Sequence, residues 1–277
     1  MIVRVPASSA NLGPGFDALG MALGIILELG VLDDHAPVEA RAVPDSHPSA
    51  VAFRAAGGTG PVWVRSTIPM GRGLGFSGAA RVAGLVAGHA QRAGDGFDLA
   101  EVTDEVLAAA SELEGHADNV AASLLGGVVA ASGGRAVRVP LAFDPAVVVW
   151  VPSFTTSTDE SRGKLPATVD RADAVFNIGR TALLVAALAA GDVTALRVAT
   201  EDRLHQDVRL ARAPGSRRAL HAALDAGAWC AWLSGSGPTV AALCGHDRAE
   251  ALAATLPDDG HTKQLRIDHG GAVVEGR

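Results

Sequence analysis

Residues 69–84 read PMGRGLGFSGAARVAG, a run of glycines leading into an alanine-rich stretch that continues to Ala93. Glycines keep side chains out of a turn, so backbone N–H groups can face a ligand. A helix beginning at Ser77 or Gly78 adds the positive end of its dipole at the same place. This segment predicts an anion-binding turn, with phosphate as its natural occupant. By itself the motif is weak, since a glycine-rich turn can also cap a helix for packing alone.

Gly73-Leu74-Gly75-Phe76-Ser77-Gly78 satisfies G-x-G-x-x-G, but a dinucleotide turn also needs a strand directly before it and a second strand after its helix. Here Pro69 and Met70 separate the expected strand Val62–Thr67 from the glycines. The helix is followed by another helix, opened by the capping box Asp98-Leu99-Ala100-Glu101 and running to about Glu114. A nicotinamide cofactor is therefore disfavoured. The lysine-bearing P-loop, G-x-x-x-x-G-K-[ST], does not occur.

Strands are expected at Ile2–Val5, Leu19–Leu29, Val128–Ala131, Val147–Val151, Ala228–Leu233, Thr239–Cys244 and around Ala272–Glu275. Ala7–Gly15 reads as a loop, Asp33–Pro48 as a connecting segment and Gly115–Asn119 as a tight polar turn. Further helices are expected at Asp170–Ala190, Val193–His205, Ser216–Ala226 and Arg248–Leu256. Strands cluster early, helices follow and strands return, which is an α+β pattern. A boundary near residue 145 divides the chain into halves 1–145 and 146–277 that share one cleft.

The 277 residues are 48% hydrophobic and 19% charged, enough for a sizeable core. A net charge of −7 with few aromatics argues against nucleic-acid binding. Cys230 and Cys244 lie in apolar runs and read as buried thiols. The opening MIVRVPASSANLG has no apolar leader, and Thr181–Ala190 is too short to span a bilayer. A cytoplasmic protein without a membrane role is expected.

Three ordered segments carry a family resemblance. PMGRGLGFSGAA at Pro69–Ala80 is similar to the nucleotide turn of the GHMP kinases. PASSANLGPGFD at Pro6–Asp17 resembles their N-terminal signature, and LSGSGPT at Leu233–Thr239 their C-terminal glycine loop. Within the superfamily, SANLGPGFD, GRGLG and EGHADNVAASLLGG at Glu114–Gly127 most resemble the homoserine kinase family. The resemblance implies a two-layer α+β fold, with a ribosomal-protein-S5-like N-terminal half and a ferredoxin-like C-terminal half. It implies ATP as co-substrate, Mg²⁺ as metal, and phosphorylation of an amino-acid hydroxyl in threonine biosynthesis. A homodimer is also expected. Two alternatives stay open: another GHMP kinase of the mevalonate or sugar type, or a catalytically impaired nucleotide-binding homologue.

The resemblance assigns roles to particular residues. Pro69, Gly71, Arg72, Gly73, Leu74, Gly75, Phe76, Ser77 and Gly78 would surround the nucleotide. Relatives carry two or three serines after GLG; here Phe76 takes the first place, and Ser77 is read as the aligned ligand. Glu112, Glu114, His116, Asp118 and Asn119 crowd one short stretch without the spacing of a zinc pair. A hard-cation site of carboxylate plus hydroxyl fits better. The resemblance implies a glutamate at this helix end as metal ligand. Spacing does not choose between Glu112 and Glu114, and Glu112 is preferred for its reach back across the helix, so Ser77 and Glu112 form the expected metal pair.

Asp118, Asn119 and Arg162 form the expected catalytic set, with Asp118 and Asn119 at the acceptor hydroxyl; whether Asp118 takes a proton stays open. Arg162 and Arg209 correspond to family arginines that seat a carboxylate, for which a planar guanidinium fork is suited. Asn11 and Asp17 match the residues that meet the amino group and polar end, and Gly235 and Ser236 lie on the loop near the substrate. Arg72 and Arg81 flank the glycine turn, facing either phosphate or solvent.

Overall fold

The computed structural model describes residues 1–33, 36–154 and 165–276. In chain order the strands are β1 (Ile2–Ala10), β2 (Leu19–Val31), β3 (Val62–Ser66), β4 (Val128–Ser132), β5 (Arg135–Val139), β6 (Ala146–Pro152), β7 (Cys230–Leu233), β8 (Val240–Cys244), β9 (Gly260–Leu265) and β10 (Val273–Glu275). One sheet runs β10-β1-β2-β4-β5, with β3 also on β2; the other runs β7-β8-β6-β9. Every pairing is antiparallel. The long strand β2 gives one edge to β1 and divides the other, Leu19–Met21 to β4 and Leu27–Val31 to β3.

The helices are α1 (Pro48–Ala55), α2 (Phe76–Ala93), α3 (Leu99–Glu114), α4 (Asp118–Leu125), α5 (Arg171–Ala190), α6 (Leu196–Ala199), α7 (Gln206–Leu210), α8 (Pro214–Asp225) and α9 (Ala249–Ala253). Helix α2 is buried almost continuously from Gly78 to Ala90, because Ala, Gly and Val let neighbours approach closely. It packs against β1 and β2, and its buried residues share one core with Val5, Leu23 and Leu27, all fully buried. Each such side chain contributes about 1.5–3 kcal/mol on burial. Helix α3 begins at the expected cap, with Asp98 accepting the Ala100 N–H at 2.9 Å.

Several elements depart from the sequence reading, each for a visible reason. Strand β1 continues through Pro6 to Ala10, where a loop was expected. A register shift between Pro6 and Ala7 absorbs the missing N–H. Helix α1 lies where the connecting segment was expected to end: Pro48 sits in its first turn, where no N–H is needed, and His47 caps it. Asp118 and Asn119 belong to the first turn of α4 rather than to a tight turn.

The expected helix Val193–His205 is confined to α6. Thr200 turns its hydroxyl back onto the Leu196 carbonyl, and the Asp202 carboxylate takes the N–H groups of Leu204, His205 and Gln206 to open α7. Strands β5 and β9 were not expected; both are polar, partly exposed edge strands without clean alternation.

Helix α5 has 20 residues, and an 18-residue window of it reaches a mean hydropathy of 1.4, so it passes a membrane-span test by length and composition alone, although Asp173, Asn177 and Arg180 interrupt its apolar run. In this fold Asn177 and Thr181 on that helix both donate to the Pro14 carbonyl at 3.1 Å. Both cysteines are buried and free. Burial pushes the Cys230 thiol up to about 12 and raises that of Cys244 as well, so neither carries a reactive thiolate.

The glycine turn is held against the β7–β8 turn by close backbone approach. Gly73 has φ +72°, and a Cβ there would strike the Ser234 carbonyl oxygen. Gly133, in the β4–β5 hairpin, has φ +56° with nothing within 4 Å of its would-be Cβ. Gly133→Ala is therefore expected to cost only the backbone strain, about 1–3 kcal/mol. Gly73→Ala should cost clearly more, because the clash is with main chain. Equal shifts of the urea midpoint in the two variants would contradict the close approach.

Candidate active site

One cleft of about 190 Å³ takes its walls from four places: the turn after β1, the glycine turn before α2, the α3–α4 junction, and α7 with the β7–β8 turn. A row of buried hydrogen bonds fixes these walls. The Trp232 indole N–H donates to Ser9 Oγ at 3.0 Å, Ser9 and Ser234 share a bond of 2.7 Å, and Ser234 Oγ donates to the Gly73 carbonyl at 2.6 Å. A serine has one proton, and the Gly73 carbonyl claims that of Ser234. The Ser9 hydroxyl therefore donates to Ser234. Ser9 and Ser234 are both fully buried, so every bond in the row replaces water that cannot enter. Backbone bonds add Ser8 N–H to the Leu74 carbonyl and Gly235 N–H to the Ala10 carbonyl.

At the glycine turn, Gly75 caps α2 in the left-handed region with φ +68°, with no side-chain hydrogen bond to the helix end. The N–H groups of the first turn lack helical acceptors, and Gly73, Leu74, Gly75, Phe76 and Ser77 line the cleft. Pro69, Gly71 and Arg72 extend the same wall, with Arg72 Nη2 donating to the Ser153 carbonyl at 2.8 Å. Gly78, expected at the nucleotide, is instead buried beside Asn119 and Val120 and does not line the cleft. A Cβ on Gly75 would collide with Ser8 Oγ. Phe76 sits edge-on to the His47 ring at 5.8 Å.

The glutamate facing the cleft is Glu114, not Glu112. Glu114 Oε2 accepts from Ser77 Oγ at 2.8 Å, whereas Glu112 is exposed and off the cleft wall. Helix periodicity is the reason: the buried positions of α3 include Leu107 and Ala110, and Glu114 continues that face one turn on. Arg81 Nη1 lies 2.6 Å from Glu114 Oε2 and 2.5 Å from Ser77 Oγ. One cationic nitrogen thus already stands where a carboxylate and a hydroxyl converge, a donor set that suits a hard cation. Among the described residues no group of three or more His, Cys, Asp or Glu converges. A divalent ion here would draw its remaining ligands from phosphate and water.

The side facing the glycine turn is built from unusual backbone geometry and buried polar groups. Asn11, Leu12 and Asp17 have φ of 71°, 48° and 56°, an uncommon cluster for non-glycine residues. The Asn11 side chain holds it, donating to the Gly235 carbonyl at 3.0 Å and accepting the Asp17 N–H at 3.1 Å. Asp118, buried at the start of α4, accepts the Asn119 N–H at 2.7 Å and lies 2.8 Å from His116 Nδ1. Ser8 Oγ donates to Asn119 Oδ1 at 2.9 Å. Arg209, Gly235 and Ser236 complete the wall. Arg209 Nη1 donates to the Gly235 carbonyl at 3.1 Å and to His205 Nδ1 at 2.9 Å. Arg162 lies outside the described residues.

The structure therefore gathers Asn11, Asp17, Asp118, Asn119, Arg209, Gly235 and Ser236 around the glycine turn. The sequence reading missed the contribution of Arg81, read as a phosphate contact or surface, and of His116, set aside with the zinc pattern. A count of helical turns from Ser77 to Arg81 would have put both on one face of α2.

Comparison with known proteins agrees with this geometry. The GHMP kinase N-terminal domain model matches residues 48–127, and the model for the GHMP kinases C terminal matches residues 184–262. A homoserine kinase of Moorella thermoacetica is 41% identical, over 99% of each chain. One from Desulfitobacterium hafniense is 38% identical, over 98% of this chain and 99% of its own. The crystal structure of homoserine kinase from Cytophaga hutchinsonii superposes with a TM-score of 0.83 at 25% identity, over 99% of this chain and 96% of its own. With these matches along its length, the chain belongs to the homoserine kinase family of the GHMP kinases.

Proposed function

We propose that this chain transfers the γ-phosphoryl group of ATP to the side-chain hydroxyl of L-homoserine, giving O-phospho-L-homoserine for threonine synthesis. One observation carries the reading: a single cleft has bare helix-end amides on one wall and Asn11, Asp17 and Arg209 on the other. A neutral sugar or a simple hydroxy acid has no use for both an acid and a guanidinium in its pocket; a zwitterion does.

In this proposal the turn Gly73–Ser77 and the first amides of α2 hold the triphosphate. The Arg209 guanidinium receives the substrate carboxylate and Asp17 its ammonium group, while Arg162 is a second candidate for the carboxylate. Asn119 and Asp118 orient the acceptor hydroxyl; the Asp118 oxygen bonded to the Asn119 N–H holds that carboxylate in place whether or not its partner oxygen takes a proton. Glu114 and Ser77 would hold Mg²⁺, which when bound would neutralise charge on the phosphates. Arg81 must release both oxygens for that to happen. Phosphoryl transfer proceeds through a loose transition state, so placing donor and acceptor in line supplies much of the rate. A cytoplasmic homodimer acting on a free amino acid, with no nucleic-acid or membrane role, is part of the same proposal.

The direct test is a coupled assay of ADP release with homoserine, mevalonate and galactose offered in turn. Homoserine should give the fastest release, and a larger response to either other acceptor would remove the reading. Arg209→Ala should raise the KM for homoserine roughly 10- to 100-fold, as expected for a lost charge-assisted contact, and leave the KM for ATP nearly intact. Glu114→Gln should weaken Mn²⁺ binding to the nucleotide complex, read by electron paramagnetic resonance, while Glu112→Gln leaves it unchanged. The reverse order would return the metal role to Glu112.

A further inference from the structure

The acceptor wall contains a buried histidine that the proposed chemistry does not use. His205 is 1% exposed, directly before α7. Its Nε2 lies 2.8 Å from the Gly13 carbonyl oxygen, and its Nδ1 lies 2.9 Å from Arg209 Nη1. A carbonyl only accepts, so Nε2 must carry the proton. A guanidinium only donates, so Nδ1 must present its lone pair. One species satisfies both contacts, the neutral imidazole protonated at Nε2.

The surroundings favour that species. Burial and the Arg209 charge lower the imidazole's proton affinity, while Asp202, Asp17 and the Gly13 carbonyl act in the opposite sense; burial is the largest effect and the net direction is down. Asp202 lies 3.8 Å from Nε2, fully buried, with its oxygens engaged by the N–H groups that open α7. Phe16 stacks on the His205 ring at 5.2 Å, and the Arg209 guanidinium carbon lies 5.4 Å from the same Phe16 ring. Imidazole, phenyl ring and guanidinium therefore form one packed unit whose orientation is set from the strained turn after β1.

We propose that His205 is a positioning residue for Arg209: clamped between the Gly13 carbonyl and the guanidinium, it aims Arg209 at the substrate carboxylate without adding a countercharge of its own. A glutamate or aspartate in its place would also hold the arginine, but as an anion it would compete with the incoming carboxylate. A neutral acceptor avoids that competition. The inference rests on the homoserine reading of the cleft.

Steady-state kinetics of His205→Leu and His205→Asn test it, with homoserine and ATP varied separately and thermal melting recorded for each protein. The wild-type rate with homoserine is measured first; if none is found, the substrate reading fails, and the histidine is then judged by its tautomer alone. His205→Leu should raise the KM for homoserine roughly tenfold, the worth of one hydrogen bond to a charged group, with the KM for ATP unchanged. His205→Asn, whose Oδ1 can stand where Nδ1 stood, should recover most of that loss. An unchanged homoserine KM in His205→Leu, or a parallel rise in both KM values that asparagine does not repair, overturns the proposal. Nitrogen-15 NMR of histidine-labelled wild-type protein gives a check that needs no variant: the buried ring should carry its proton on Nε2, and a proton on Nδ1 would equally overturn it.

Discussion

A short row of hydroxyl protons, from the Trp232 indole through Ser9 and Ser234 to the Gly73 carbonyl, holds the site together. Its members come from β7, β1, the β7–β8 turn and the glycine turn, so both sheets are represented. The row has a direction, because an indole can only give and a carbonyl can only receive. Removing one hydroxyl would strand the donor before it and the acceptor after it in a space without water. This explains why three short segments far apart in the chain are rich in serine and glycine: serine supplies a small group that both gives and takes, and glycine lets the backbones come close enough to use it.

Arg81 and Arg209 illustrate two ways of keeping a cation inside an acidic protein. Arg81 is held by a carboxylate, at 2.6 Å, on the phosphate side. Arg209 is buried on the acceptor side, where a carbonyl and an imidazole receive one of its nitrogens. The first arrangement balances the guanidinium with an anion. The second fixes direction through neutral acceptors. Phosphoryl transfer asks little covalent chemistry of a protein, so the arrangement of charge is most of what the chain can contribute.

Much of this was legible in the sequence. The glycine turn, the α+β class and many of the residues that line the cleft follow from glycine placement, element order and the family resemblance of three ordered motifs. What escaped falls into physical types. Helix α1 hid behind Pro48 because a proline in the first turn looks like a linker until its cap is seen. Strands β5 and β9 hid because an edge strand needs no apolar alternation. The break between α6 and α7 depends on where Thr200 and Asp202 send their oxygens, a choice that helix propensity does not encode. That Glu114 rather than Glu112 faces the cleft could be followed along the buried face of α3 from Leu107 through Ala110, because on a helix the face decides which side chain reaches a neighbour. His205 escaped because its importance lies in which atoms its two nitrogens meet.

The outer strand beside β1 is β10, residues 273–275, paired with Ile2, Val3 and Arg4 and joined by an Arg4–Glu275 ion pair of 3.1 Å. During synthesis, the opening strand therefore leaves the ribosome with one edge unmatched and keeps it so while the whole β6–β9 sheet is made. The half that carries the glycine turn is closed by residues that follow the β6–β9 sheet in the chain. Until β10 is in place the outer edge of β1 has no partner strand, and an unpaired strand edge is a template for pairing with other chains.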